Sequence, residues 1–97
     1  MYGTIARLHP TPGREADLEA YGRRIAELKV PGYRVSYMFT PDTNPYDRPT
    51  TFLIAIFDDE ATYRANADDP AQNERYLEMR SMLEDDPEWM DGTFETS

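Results

Sequence analysis

Thr50-Thr51-Phe52-Leu53-Ile54-Ala55-Ile56-Phe57 is apolar at alternate positions of both parities, in a chain that otherwise carries a net charge of -9. Extended side chains alternate sides, so Phe52, Ile54 and Ile56 need one apolar neighbour and Leu53, Ala55 and Phe57 need another. One layer of helices can cover only one of these faces. With 97 residues available, the second cover is expected from another copy of the chain, in a homodimer joined sheet to sheet.

Working outward from this strand, the turn and cap residues divide the chain. Tyr2 to His9 alternates and reads as a first strand, with Tyr2, Thr4, Ala6 and Leu8 on one side and Gly3, Ile5, Arg7 and His9 on the other. Thr11-Pro12-Gly13 follows, and threonine before proline predicts an N-cap and first helical turn, with the helix running to about Lys29. Leu18, Tyr21, Ile25 and Leu28 form its apolar stripe. Pro31-Gly32 ends it. A second strand, Tyr33 to Thr40, is less apolar than the third, as suits a sheet edge. It places Tyr33, Val35, Tyr37 and Phe39 on one face.

Pro41 to Pro49 is a proline-rich loop of the kind used as a lid or interface arm. Asp58-Asp59-Glu60 opens a short helix to about Ala67, Asp69-Pro70 opens another to about Glu84, and Glu88 to Glu95 reads as a last strand. The order strand, helix, strand, strand, helix, strand predicts an α+β, ferredoxin-like domain over residues 1–97. Its antiparallel sheet has the first and third strands at the centre.

Composition excludes several kinds of function. The absence of cysteine rules out disulfides, thiolate metal sites and a cysteine nucleophile, and points to a reducing cytoplasm. The acidic balance argues against nucleic acid and anionic membranes as partners, and no run of residues is long and apolar enough to span a bilayer. Met1-Tyr2-Gly3-Thr4 lacks the character of a signal peptide. No phosphate-binding glycine loop or nucleophile elbow occurs. The acidic pairs Asp58-Asp59 and Asp68-Asp69 are explained by helix capping, whereas Asp85-Asp86 stands at a helix end, where the dipole disfavours it. No metal or organic cofactor is expected.

Candidates for chemistry are few. His9 is the one histidine, closing the first strand. It reads either as an acid-base group or as a strand-end side chain hydrogen-bonded to loop backbone. Tyr37, Tyr63, Tyr76, Trp89 and Met79 suit a pocket for a planar organic molecule, although the same residues at these spacings also suit a core. Asn66 lies three residues after Tyr63, on the same side of its helix. Arg7 and Arg34 could pair with carboxylates across a dimer interface or orient an anion.

Thr11-Pro12-Gly13, Pro31-Gly32, Phe57-Asp58-Asp59-Glu60-Ala61, and Asp86-Pro87-Glu88-Trp89 with Gly92 together resemble the antibiotic-biosynthesis monooxygenase superfamily of dimeric α/β-barrel proteins. The resemblance spans nearly the whole chain and implies two ferredoxin-like subunits pairing their sheets. It also implies a range of activities, from cofactor-independent oxygenation of anthrones or quinols to haem degradation. The positions that serve haem in such relatives hold Ala6, Asn66 and Tyr76 here, so the haem-binding imidazole is missing. What remains is a cofactor-free, monooxygenase-like protein for a quinol, anthrone or polyketide, with His9, Asn66 and Tyr76 catalytic and Tyr63, Tyr37, Met79 and Trp89 binding substrate. The alternative is a non-catalytic small-molecule-binding or homodimeric interaction protein of the same fold.

Overall fold

Alternation over the first residues produces β1 (Tyr2–Leu8), and the doubly apolar stretch produces β3 (Thr51–Phe57). These two strands pair antiparallel at the sheet centre, Tyr2 opposite Phe57 and Leu8 opposite Thr51. The edges are β2 (Tyr33–Phe39), beside β3, and β4 (Glu88–Thr93), beside β1, giving the order β2-β3-β1-β4 with every neighbouring pair antiparallel. Three helices, α1 (Glu15–Ile25), α2 (Glu60–Ala67) and α3 (Pro70–Arg80), complete a ferredoxin-like α+β fold. The structure, a computed structural model, describes residues 1–96. No helix among the described residues is long and apolar enough to cross a membrane.

The helices cover one face of the sheet. Ala6, Leu8 and Leu53 from the strands meet Leu18, Tyr21 and Ile25 from α1, Met79 from α3, and Met82 and Leu83 beyond it, all buried. The expected stripe of α1 is therefore the buried one, with Leu28 packed at its margin. Asp59 caps α2 by accepting from the Thr62 backbone N–H at 2.8 Å, and Asp69 caps α3 by accepting from that of Ala71 at 2.8 Å.

Three boundaries differ from expectation. Thr11-Pro12-Gly13-Arg14 forms a turn closed by the Arg14 N–H to the Thr11 carbonyl at 2.9 Å, with Gly13 at φ 91°. Proline then glycine at the two central positions suits a type II turn, so α1 begins only at Glu15 and Thr11 does not cap it. The last turn of α1 tightens into Glu27–Arg24 and Leu28–Ile25 backbone bonds, ending the helix at Ile25, short of Lys29. Likewise α3 stops at Arg80, short of Glu84. The chain after it is recruited to the end of β1 through the Thr11 N–H to Met82 carbonyl and the Glu84 N–H to His9 carbonyl bonds, both 2.9 Å.

A bulge between Tyr33 and Val35 corrects the expected face of Tyr33. Tyr33 lies opposite Phe57, on the helix side, whereas Val35, Tyr37 and Phe39 lie opposite Ile56, Ile54 and Phe52 on the other side. That other side also carries Ile5 and Met90, and among the described residues no helix lies over it. Tyr37 is 56%, Phe39 53% and Met90 60% exposed. Arg7 and Arg34, read as interface or ligand cations, instead pair within the chain with Glu88 and Asp58.

The central pairing leaves no space on one side of Gly3, where a β-carbon would collide with the Ala55 carbonyl, while its partner Gly92 faces open space. Gly3→Ala is expected to destabilise the fold by about 1–3 kcal/mol and Gly92→Ala by well under that. Urea midpoints of the two variants check the contrast, and equal midpoints would refute the packing described.

Candidate functional site

The helix layer does not close completely over the sheet. Between α1, the α2–α3 pair and the sheet lies a cavity of about 270 Å³. Its floor is Thr4 of β1 with Leu53, Ala55 and Phe57 of β3. Tyr21 and Ile25 of α1 and Met79 of α3 form one wall, and Trp89 of β4 another. Aromatic rings continue around it. Tyr33 meets Phe57 edge-on at 5.6 Å between centroids, Phe57 meets Tyr63 at 5.7 Å, and Tyr76 tilts against Trp89 at 6.4 Å. Flat walls of this kind suit a planar organic guest, for which ring area supplies affinity.

One end is polar. Asn66, at the end of α2, and Gln72 and Asn73, at the start of α3, line it together with Tyr76. The Arg75 guanidinium donates to Gln72 Oε1 at 3.0 Å and to Asn66 Oδ1 at 3.4 Å, and Asn66 Nδ2 donates to Gln72 Oε1 at 3.4 Å. At another edge the Tyr63 hydroxyl donates to Asp91 at 2.7 Å, and Arg64 donates to the same carboxylate at 3.1 Å and to the Tyr2 hydroxyl at 3.0 Å.

Electrostatics follow from these contacts. Burial, helped by nearby Glu78, pushes the Tyr21 phenol up to about 12. Burial and the hydrogen bond to Asp91 raise Tyr63 to about 12 as well, so both phenols stay protonated at neutral pH. Burial alone would raise Asp91, but the hydrogen bonds from Tyr63 and Arg64 outweigh it and hold the carboxyl below its usual 3.8. No carboxylate or imidazole lines the cavity among the described residues, and no group of three His, Cys, Asp or Glu side chains gathers among them to hold a metal ion.

Of the residues expected to form a site, Asn66, Tyr76, Tyr63, Met79 and Trp89 surround this one cavity. His9 does not. It is buried beyond the other end of β1, five residues from Thr4 and hence about 16 Å along the strand. There its Nδ1 lies 3.3 Å from the Pro49 carbonyl and 3.2 Å from Thr50 Oγ1. The Thr50 hydroxyl donates to the Arg48 carbonyl at 3.0 Å, so the proton in the His9 contacts sits on Nδ1. His9 is thus the strand-end histidine tied to loop backbone. Tyr37 is also outside, because β2 turns it to the uncovered sheet face. It borders a wider cleft of about 780 Å³ between β2 and α1, which is rimmed by Glu15, Glu19 and Arg23 and lacks an aromatic enclosure.

Tyr21, Gln72, Arg75 and Asp91 were not singled out from the sequence. Tyr21 was readable only as part of a core stripe. Gln72 and Arg75 reach Asn66 because the chain turns sharply at Asp69-Pro70, and no single-helix period brings residues six and nine apart together across such a break.

No family model matches the sequence, and no curated protein matches it. Solved structures match in fold. A conserved protein from Methanosarcina mazei Go1 superposes with a TM-score of 0.79 at 14% identity, over 97% of this chain and 92% of that one. SnoaB, a cofactor-independent oxygenase from Streptomyces nogalater, gives 0.77 at 16%, over 99% and 94%. A protein of Nitrosomonas europaea named for antibiotic biosynthesis monooxygenases gives 0.76 at 11%, over 97% and 98%. The fold is that of proteins bearing the antibiotic biosynthesis monooxygenase name, in agreement with the resemblance carried by the turn and cap residues.

Because Asp91 is held ionised by its neighbours, its contribution to stability is full above the unfolded carboxyl value and is lost as pH falls through the lower, folded one. Asp91→Asn is expected to cost about 0.5–1 kcal/mol at pH 7, discounted for partial exposure. The deficit should vanish in acid. Paired urea titrations at pH 7 and below pH 3 check this, and a pH-independent deficit would contradict it.

Proposed function

We propose that this protein is a cofactor-independent monooxygenase-like protein that takes a planar aromatic substrate of the quinol, anthrone or polyketide type into the cavity beneath its helices. The observation that carries this reading is the cavity itself, an aromatic enclosure of about 270 Å³ closed at one end by amides. An electron-rich phenol or anthrone, once ionised, can reduce oxygen without help. In the anthrone case the ring CH₂ becomes C=O, the substrate supplying four electrons to O₂. One oxygen enters the product and the other leaves as water with the two hydrogens. The protein's part is to orient the ring, surround the developing charge with fixed dipoles and exclude bulk water. Asn66 and Tyr76 are the polar groups assigned to orientation, and Tyr63, Met79 and Trp89 hold the ring. His9 and Tyr37 drop out of this assignment.

A second reading, a binding protein without catalysis, is favoured by one specific observation: among the described residues no imidazole or carboxylate lines the cavity to act as base. Oxygen consumption with a panel of anthrones and hydroquinones, measured against each compound's own autoxidation, separates the two. The expected result is catalysed uptake that falls roughly hundred- to thousand-fold in Asn66→Ala, as when one donor to a developing oxyanion is removed. His9→Ala should keep its turnover while losing about 1–3 kcal/mol of stability to broken buried hydrogen bonds. Ligand-induced rises in melting temperature without uptake would select the binding reading.

The same reading makes the protein a homodimer working in a reducing compartment such as the cytoplasm, its partner covering the open sheet face of Phe52, Ile54, Ile56, Val35, Phe39 and Met90. Covering such side chains is worth about 1.5–3 kcal/mol each at full burial, so Ile54→Lys at the centre should separate the subunits. Sedimentation equilibrium is expected to give twice the chain mass for the wild type and the chain mass for the variant. A monomeric wild type at assay concentrations overturns the dimer.

A further inference from the structure

Of the nine arginines in the sequence, Arg7, Arg14, Arg23, Arg24, Arg34, Arg48, Arg64 and Arg80 each lie within 4 Å of a carboxylate. Arg75 has no such partner among the described residues. In so acidic a chain an unpaired arginine is unusual, and this one is half-buried behind the polar end of the cavity. Its donors go instead to the side-chain oxygens of Gln72 and Asn66.

A guanidinium has donors and no acceptor, so it dictates which way both amides face. Their oxygens are turned to Arg75. Asn66 Nδ2 spends one hydrogen on Gln72 Oε1 at 3.4 Å, leaving its second hydrogen and both of those on Gln72 Nε2 for whatever enters. Tyr21 and Tyr63 remain protonated, and the Tyr63 hydrogen is spent on Asp91, so neither phenol brings a negative charge to the lining. The amide end of the lining therefore offers hydrogens, backed by a guanidinium with no carboxylate within 4 Å among the described residues. Of the other charges on the elements around it, Arg24 pairs with Glu78 on the α1–α3 side and Arg64 with Asp91 on the α2–β4 side, while the carboxylates of Asp68 and Asp69 at the corner and of Glu74 on α3 are exposed to solvent, where water screens them.

We propose that the cavity binds its ligand through an acceptor oxygen in ionised form, the phenolate or enolate of an acidic phenol or enol, and that Arg75 is the positioning residue that selects this form by orienting Asn66 and Gln72. This deepens the reading above and rests on the cavity being its ligand site. It also removes the need for a protein base. The guest loses its proton to water, and the pocket holds the anion, so the pH dependence of binding follows the ligand's acidity.

The probe is 4-nitrophenol, whose phenolate absorbs in the visible while the phenol does not. In the wild type, the absorbance titration of the bound probe is expected to shift at least roughly one pH unit below that of the free probe, as for an ionisable group beside an opposite charge. Arg75→Met should abolish the shift while keeping a side chain of similar length. Asn66→Asp, which replaces a donor by an anion that can pair with Arg75, serves as the second variant should the first not fold, and should bind the neutral phenol in preference. An equal shift in wild type and Arg75→Met, a wild-type preference for the neutral phenol, or no saturable binding overturns the proposal. None of these outcomes depends on oxygen uptake. A phenolate site without turnover would leave this inference standing and remove the oxygenase, and turnover without the shift would do the reverse.

Discussion

The rest of this structure depends on the pairing of β1 with β3 at the centre of a sheet that has helices on one side only. The close approach of the two strands at Gly3 sets their register, and that register decides which residues of every other strand face the helices. Thr4, Ala6 and Leu8 go under the helices with Leu53, Ala55 and Phe57. Phe52, Ile54 and Ile56 go to the side without them. A sheet with an apolar second face in a strongly acidic chain combines attraction at one surface with repulsion elsewhere, which suits an assembly restricted to that surface.

The cavity follows from how the single helix layer is divided. α1 is a continuous piece, whereas the second helical segment breaks at Asp69-Pro70 into α2 and α3, each with its own aspartate cap. The break turns α3 away from the line of α2 and leaves space over Thr4 and Ala55 that aromatic side chains enclose without filling. It also brings the end of one helix beside the start of the next, so Asn66, Gln72 and Arg75 meet across the corner. A straight helix would keep them on different turns and faces.

Charge elsewhere fastens the ends of the sheet. Asp85 and Asp86, which lie beyond the end of α3 at Arg80 and so escape its dipole, are each held by an arginine: Asp85 by Arg48 at 2.7 Å and Asp86 by Arg80 at 2.8 Å. Arg48 also reaches Glu84. Together with His9 on the Pro49 carbonyl, these contacts secure the end of the Pro41–Pro49 loop, and Tyr46 from that loop lies under the Arg7 guanidinium at 4.5 Å. This part of the loop is therefore built into the end of the sheet away from the cavity, which makes it a poor lid for the cavity.

Element types and order were legible in the sequence because they rest on local chemistry: alternation in the strands, an apolar stripe at Leu18, Tyr21 and Ile25, aspartate before Glu60 and Pro70, and glycine at the positive φ of Gly32. Those features, with the two-sided apolarity of β3, were enough to determine the fold and its uncovered face. Local chemistry also misleads where two motifs share residues, as at Thr11-Pro12-Gly13, whose turn geometry displaced the expected cap. The site was half legible. Asn66, Tyr63, Tyr76, Met79 and Trp89 were identifiable by type, but their convergence, the reversal of Tyr33 by a bulge, the exclusion of His9 and Tyr37, and the pairing of Arg75 with two amides were decided only by tertiary structure. Periodicity assigns a residue to a face of its own element. Which faces meet, and which charge is left without a partner, depends on contacts between residues distant in the chain.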